Sequence, residues 1–161
     1  MSDVDALSES RLIGVHPILA ERIRQLAQML ETENISVIVT QGLRSWAEQN
    51  RLYQQGRTAP GLIVTHALPG HSWHNLGLAV DLAPLDHDIP NWDINHPVWK
   101  RIVKVGESLG LTSGSEFRSF PDWPHFQLTG RFPASPDDET RRIFTQAGMV
   151  ALWDEAQITN V

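Results

Sequence analysis

The sequence predicts one mixed domain in which helices are interleaved with short strands. Apolar residues recur at helical spacing in separate stretches, while short β-branched or alternating runs lie between them, bounded by Gly, Pro or Asn. The length, 161 residues, and the composition, 41% hydrophobic and 20% charged, suit a single core that needs no covalent staple. No repeat, low-complexity tract or linker divides the chain. Residues 1–161 are therefore read as one domain, with a motif-bearing core over 39–128 and a C-terminal helical segment over 136–158.

Residues 1–14 read as a polar lead-in. Pro17 opens a helix whose Leu19, Ile23, Leu26 and Leu30 form a core-facing stripe, and Asn34 ends it. The run from Ile35 to Thr40 is β-branched and reads as a strand. Gly42-Leu43-Arg44-Ser45 breaks it, and Ser45 with Glu48 makes a capping-box start for a helix through Gln55. Arg44 is thus fixed between a strand end and a helix start; taken alone it reads more readily as a surface ion-pair partner. Gly56 to Gly61 is a turn, Leu62 to Thr65 a short strand, and Leu68-Pro69-Gly70 the turn that follows.

The stretch from Gly70 to Asp81 changes character halfway. His74 lies in a polar, glycine-flanked turn. From Leu78 the pattern alternates, so that Leu78, Val80 and Leu82 face one side of a strand and Ala79, Asp81 and Ala83 the other. A carboxylate between two alanines on a buried strand is costly unless paired or bound to a cation. His74 and Asp81 are a plausible pair of zinc ligands; they read otherwise as a turn histidine and a capping aspartate. Pro84 to Asn95 reads as a loop rich in Asp, Pro and Asn. His96-Pro97 opens a helix carrying Val98, Ile102, Val105 and Leu109, and Gly110 ends it. After the turn at Ser113-Gly114-Ser115, Pro124 leads into a short strand that begins at His125. Asp137, Asp138 and Glu139 open a C-terminal helix.

With no cysteine, any metal is held by His and carboxylate. His125 supplies a third ligand to His74 and Asp81, a set that leaves one zinc position open. Asp122 precedes His125 by three residues and could act as a base without holding the metal; Arg44 would then face a developing oxyanion. The other histidines have simpler readings. His16, His87 and His96 are expected to be solvated, while His66 and His71 flank the site and are candidates for the cleft wall. Trp73 and Trp123, beside proposed site residues, are candidates for excluding water.

These motifs, in order from about Val39 to Leu128, resemble a zinc peptidase family. They are Gly42-Leu43-Arg44-Ser45 with Glu48-Gln49 and Leu52-Tyr53; Ser72-x-His74-x-x-Gly77-x-Ala79-x-Asp81; and Asp122-x-Pro124-His125-Phe126. The family holds D-Ala-D-Ala dipeptidases and carboxypeptidases of vancomycin resistance together with phage and bacterial L-alanyl-D-glutamate endopeptidases. The resemblance implies an α+β domain shared with the hedgehog signalling domain, with a small mixed or antiparallel sheet and flanking helices. It also implies zinc at His74, Asp81 and His125, a base at Asp122, a transition-state Arg44, and substrate contacts at Gln49 and Ser72. Asp122 in place of Glu, Asn75, and Gly56-Arg57-Thr58 lean towards the endopeptidases. So does the 84–95 loop if it borders the cleft, because Asp86, Asp88 and Asp93 offer a terminal carboxylate nothing.

The expected activity is therefore cleavage of the peptidoglycan stem peptide, in the manner of an endolysin. A D-alanyl-D-alanine carboxypeptidase or dipeptidase, or a zinc-stabilised binding module, are the alternatives. The net charge of −6 and the lack of a Lys/Arg run argue against nucleic acid. No apolar leader and no bilayer-spanning run are visible, so a monomer made in the cytoplasm is expected, reaching the wall only if released, for example by a phage holin.

Overall fold

A computed structural model describes residues 3–160 as a small antiparallel sheet with helices around it. The helices are α1 (Asp3–Arg11), α2 (Pro17–Glu31), α3 (Trp46–Gln54), α4 (Val98–Ser108), α5 (Asp138–Ala147) and α6 (Met149–Ala156). The strands are β1 (Val37–Gln41), β2 (Ala79–Asp86), β3 (Ile89–Pro90), β4 (Thr112–Ser113) and β5 (His125–Gln127), ordered β1-β2-β5-β4, with β3 folded back on β2. This is the α+β arrangement expected. No helix among the described residues is long and apolar enough to cross a membrane.

The two faces of the sheet differ in chemistry. Val39, Val80, Leu82 and Phe126 bury themselves in one cluster with the stripes of α2 and α4, Leu19, Ile23, Leu26, Leu30, Ile102 and Val105. The alternate residues along the same strands, Asp81, His125 and Gln127, point the other way. Cross-strand register then sets their neighbours: Asp81 lies opposite Gln41 on β1 and opposite His125 on β5. Directly opposed residues lie within side-chain reach, so the pairing alone brings Asp81 and His125 together. A second cluster, with Trp73, Leu76, Leu78, Phe132, Ile143 and Leu152, supports the turn before β2 from below.

Several sequence expectations give way here. Residues 3–11 form helix α1 and not a polar lead-in. The helix has no apolar stripe to betray it; it is held by polar bonds to the outer edge of β1, Arg11 Nη1 to Val39 O (2.9 Å) and Val39 N to Ser8 Oγ (3.0 Å). Such cover protects an edge strand from pairing with another chain. Leu62 to Thr65 is irregular, because no strand lies beside it. Gln55 Nε2 and Arg57 Nη1 bond the carbonyls of Leu62 and Thr65 instead. The 84–95 segment is partly ordered, since β2 runs on to Asp86 and turns back through β3.

The C-terminal helix is two helices divided at Gly148. Ser45 caps α3 through Glu48 N (3.0 Å), but the Glu48 carboxylate turns to Arg51 and leaves the capping box half made. His87 and His96 are exposed, as expected, whereas His16 is buried. Its Nδ1 caps α2 by accepting from Ile18 N (3.1 Å), and its ring packs on Trp153.

Candidate active site

His74 lies on a single 3-10 turn, Trp73–Leu76, closed at both ends by its own sequence. Ser72 Oγ accepts from His74 N, Asn75 Oδ1 accepts from Ser72 N, and Gly77 ends the turn at φ 71°. A side chain at Gly77 would be strained there and would also meet Trp153 and Gly14 O, at 2.7 and 2.9 Å. Asp81 emerges between Ala79 and Ala83, both fully buried. His125 follows a tight turn in which Asp122 N bonds Gly114 O (2.8 Å). A Cβ on Gly114 would lie 2.5 Å from Asp122 O, so that approach requires glycine.

Three atoms converge. His74 Nε2 is 3.0 Å from Asp81 Oδ1, His125 Nδ1 is 3.4 Å from the same oxygen, and the two ring nitrogens are 3.2 Å apart. Their partners on the far side fix what each presents. His74 Nδ1 faces the carbonyl of Gly42 (2.9 Å), which only accepts, so the proton is on Nδ1 and Nε2 carries a lone pair. His125 Nε2 faces Gln127 Oε1 (2.8 Å), and Gln127 Nε2 donates onward to Ala134 O (2.9 Å). The lone pair of His125 is therefore on Nδ1.

Three acceptors with no donor between them repel, and they stay this close only if a cation sits among them. A tetrahedral zinc with bonds of about 2.0–2.1 Å separates its ligand atoms by about 3.3 Å, which matches the spacing found. Among the described residues this is the group of three or more His, Asp and Glu side chains able to hold a metal. The charge balance agrees. Without a metal, protons on the imidazoles take its place: burial opposes ionisation of Asp81, but the charges of His74 and His125 outweigh it and hold the carboxyl well below its ordinary range. Burial likewise opposes charge on His125, yet the bond to Asp81 and its charge push the imidazole up. The site takes a positive charge at its centre, if only a proton.

Asp122 stands outside this set. Its Oδ2 is 3.9 Å from His125 Nδ1, and its side chain is 38% exposed. Burial, then the charge of Asp81, raise its pKa. Arg44 is packed behind the site with its Nη1 on Gln49 Oε1 and its Nη2 on Gln41 Oε1, both 2.9 Å, and 3.9 Å from Asp81 Oδ2. Burial lowers its pKa, and a guanidinium still stays charged throughout the working range.

A cleft of about 730 Å³ contains Arg44, Ser72, His74, Asp81, Asp122 and His125 on its wall, and His66, His71 and Trp73 as well. Gln49 is not on that wall. It is wholly buried, its oxygen accepting from Arg44 and Asn75 and its nitrogen donating to Ala67 O (2.8 Å). In this structure Gln49 is a support for Arg44. Trp123 is not on the wall either, and no residue of 84–95 is, so the aspartates of that segment have no bearing on the cleft.

Gln127 is the residue that sequence reasoning missed, although its signal was there: it lies two residues after His125 on the same strand face. Replacing it with Leu removes the acceptor that fixes the His125 tautomer. Zinc affinity of the Gln127→Leu variant, measured by competition with a chromophoric chelator, should fall about 10–100-fold, as for other lost partners of metal-bound His. Gln127→Glu should restore it.

A family model described as VanY, D-alanyl-D-alanine carboxypeptidase, matches residues 12–120. The match stops short of Asp122 and His125, which the sheet brings to the site. The peptidoglycan L-alanyl-D-glutamate endopeptidase CwlK of Bacillus subtilis (strain 168) is 36% identical over 122 residues, 71% of this chain and 73% of CwlK. Among solved structures, the L-Ala D-Glu endopeptidase ChiX of Serratia marcescens superposes with a TM-score of 0.61 at 29% identity, covering 77% of this chain and 87% of ChiX. The vancomycin-resistance D,D-pentapeptidase VanY, E175A mutant in complex with Zn(II), shares the fold at 17% identity, with a TM-score of 0.55 over 89% of this chain and 84% of VanY. The chain therefore belongs to the VanY D-alanyl-D-alanine carboxypeptidase family.

Proposed function

We propose that this protein is a zinc-dependent peptidase that hydrolyses the stem peptide of bacterial peptidoglycan between L-Ala and D-Glu. The observation that carries the reading is the convergence of three lone-pair atoms, 3.0–3.4 Å apart, beside a carboxylate that is not one of them. Zinc held by His74, Asp81 and His125 would supply Lewis acidity, polarising a carbonyl and lowering the pKa of water.

The chain's own groups do the rest. Asp122, partly exposed on the cleft, takes the proton of the attacking water and passes it to the leaving amine. Arg44, held rigid by two glutamines, presents its charge where negative charge builds on the carbonyl oxygen. A preorganised donor of this kind is worth about 2.7–4 kcal/mol. Ser72 offers a hydroxyl on the wall for the substrate backbone. A binding module with a structural metal needs neither Asp122 nor Arg44 in these places.

CwlK and ChiX, both named as L-Ala-D-Glu endopeptidases, support the choice of bond. The description of the family model favours a second reading, removal of the terminal D-Ala. Incubation with a muramyl pentapeptide and mass spectrometry of the products decides between them. New termini at L-Ala and D-Glu are expected. Free D-Ala, with the L-Ala-D-Glu bond whole, would establish the second reading.

A further inference from the structure

Arg44 has its two terminal nitrogens on Gln49 and Gln41 and lies near Asp81, but it is not the only guanidinium on the cleft wall. Arg118 is also there, exposed, with no hydrogen bond or ion pair among the described residues. It is nevertheless not on a loose end of chain. The ring of Phe117 packs on that of His125, with centroids 5.5 Å apart, and the ring of Phe120 meets His66 edge-on at 5.1 Å. Arg118 and Ser119 thus span two aromatic anchors, one on a proposed metal ligand and the other on His66 of the cleft wall.

The remaining charges argue for a use. The cleft wall sets Arg44 and Arg118 against Asp81 and Asp122, and Arg44 already bonds two glutamines, which leaves the Arg118 guanidinium open to an anionic group of the substrate.

The proposed substrate is anionic at the position that matters. Glutamate in the stem is joined to the next residue through its γ-carboxyl, so its α-carboxylate stays free on the carbon that bears the scissile nitrogen. A C-terminal D-Ala presents a carboxylate at the same place relative to its own scissile bond. To the groups that bind the leaving residue, the two substrates differ only in whether a chain continues from the side group. Resting on the proposed L-Ala-D-Glu reading, we propose that Arg118 binds the free α-carboxylate of the leaving D-Glu and sets the preference for the acid over its α-carboxamide. A guanidinium suits this task because its planar fork takes a carboxylate in two parallel hydrogen bonds.

The test uses two muramyl tripeptides that differ in one group: L-Ala-D-Glu with its α-carboxylate, and the same peptide with D-isoglutamine, where an α-carboxamide replaces it. On the acid, Arg118→Ala should lose about tenfold to a hundredfold in kcat/KM, the range for a lost hydrogen bond to a charged group, chiefly through KM. On the amide it should lose little, and Arg118→Lys, which keeps the charge without the fork, should recover only part of the loss on the acid. Zinc content and melting temperature should match the wild type in both variants. Equal losses on acid and amide, or no loss on the acid, would overturn the role of Arg118 while leaving the bond assignment intact. A wild-type enzyme that leaves the L-Ala-D-Glu bond whole would overturn the bond assignment, and this role with it.

Discussion

Protein purified without chelator should carry about one zinc per chain, and the His74→Ala, His125→Ala double variant should carry none. Each alanine removes one of the three converging lone pairs, and a single carboxylate cannot hold zinc against a competing chelator. The metal should also stabilise the fold. The three acceptors face one another at 3.0–3.4 Å, and two of the residues that bear them, His74 and His125, are 3% and 6% exposed. A bound cation removes that conflict, and a ligand present at a hundred times its Kd adds about 2.7 kcal/mol. Stripping the wild type should therefore lower its melting temperature, and returning zinc should restore it. The double variant should melt at one temperature in either condition. Elemental analysis and paired melting curves check both statements; undiminished zinc in the double variant would place the metal elsewhere.

The residues at this site differ in how well the sequence announced them. Asp81 was legible because strand alternation leaves only one side for it, between Ala79 and Ala83, and an unpaired carboxylate there asks for a cation. His74 and His125 were legible as turn and strand-start residues flanking apolar runs. That Asp81 and His125 lie opposite each other was not, since register is a long-range property of the closed sheet. Gln49 shows a different limit: a glutamine on a helix after a fixed arginine reads the same whether it faces substrate or braces the arginine. Only its burial decides. Leu62 to Thr65 has strand composition but no neighbouring strand, and composition without a partner makes no strand. Helix α1 has no apolar periodicity at all, so nothing local could distinguish it from a polar tail. Arg118 lies on a loop, where spacing has no meaning.

Asp122→Ala should keep the fold and the zinc yet lose turnover by at least about 10²-fold, the usual cost of a missing acid–base group. The fold should survive because the bonds that shape this turn come from the backbone. Asp122 N donates to Gly114 O, and His125 N to Asp122 O at 3.2 Å, neither of which the substitution touches. The zinc should survive because the Asp122 carboxylate lies outside the set of converging atoms. The pH profile follows from the same group. Burial, and after it the Asp81 charge, raise its pKa above the ordinary 3.8. The charges of His125, His74 and Arg44 act the other way, and a cation among the ligands adds to them. A base works in its ionised form, so activity is full above the folded pKa and is lost as pH falls through it. The acid limb of the wild-type kcat/KM profile should accordingly report this group, and Asp122→Ala should lose that limb along with the rate. Near-normal turnover in the variant would transfer the proton to another group on the same wall, and His71 is the first to test, since it lines the cleft and its lowered pKa, caused by burial and then by Arg141, keeps it neutral and able to accept a proton.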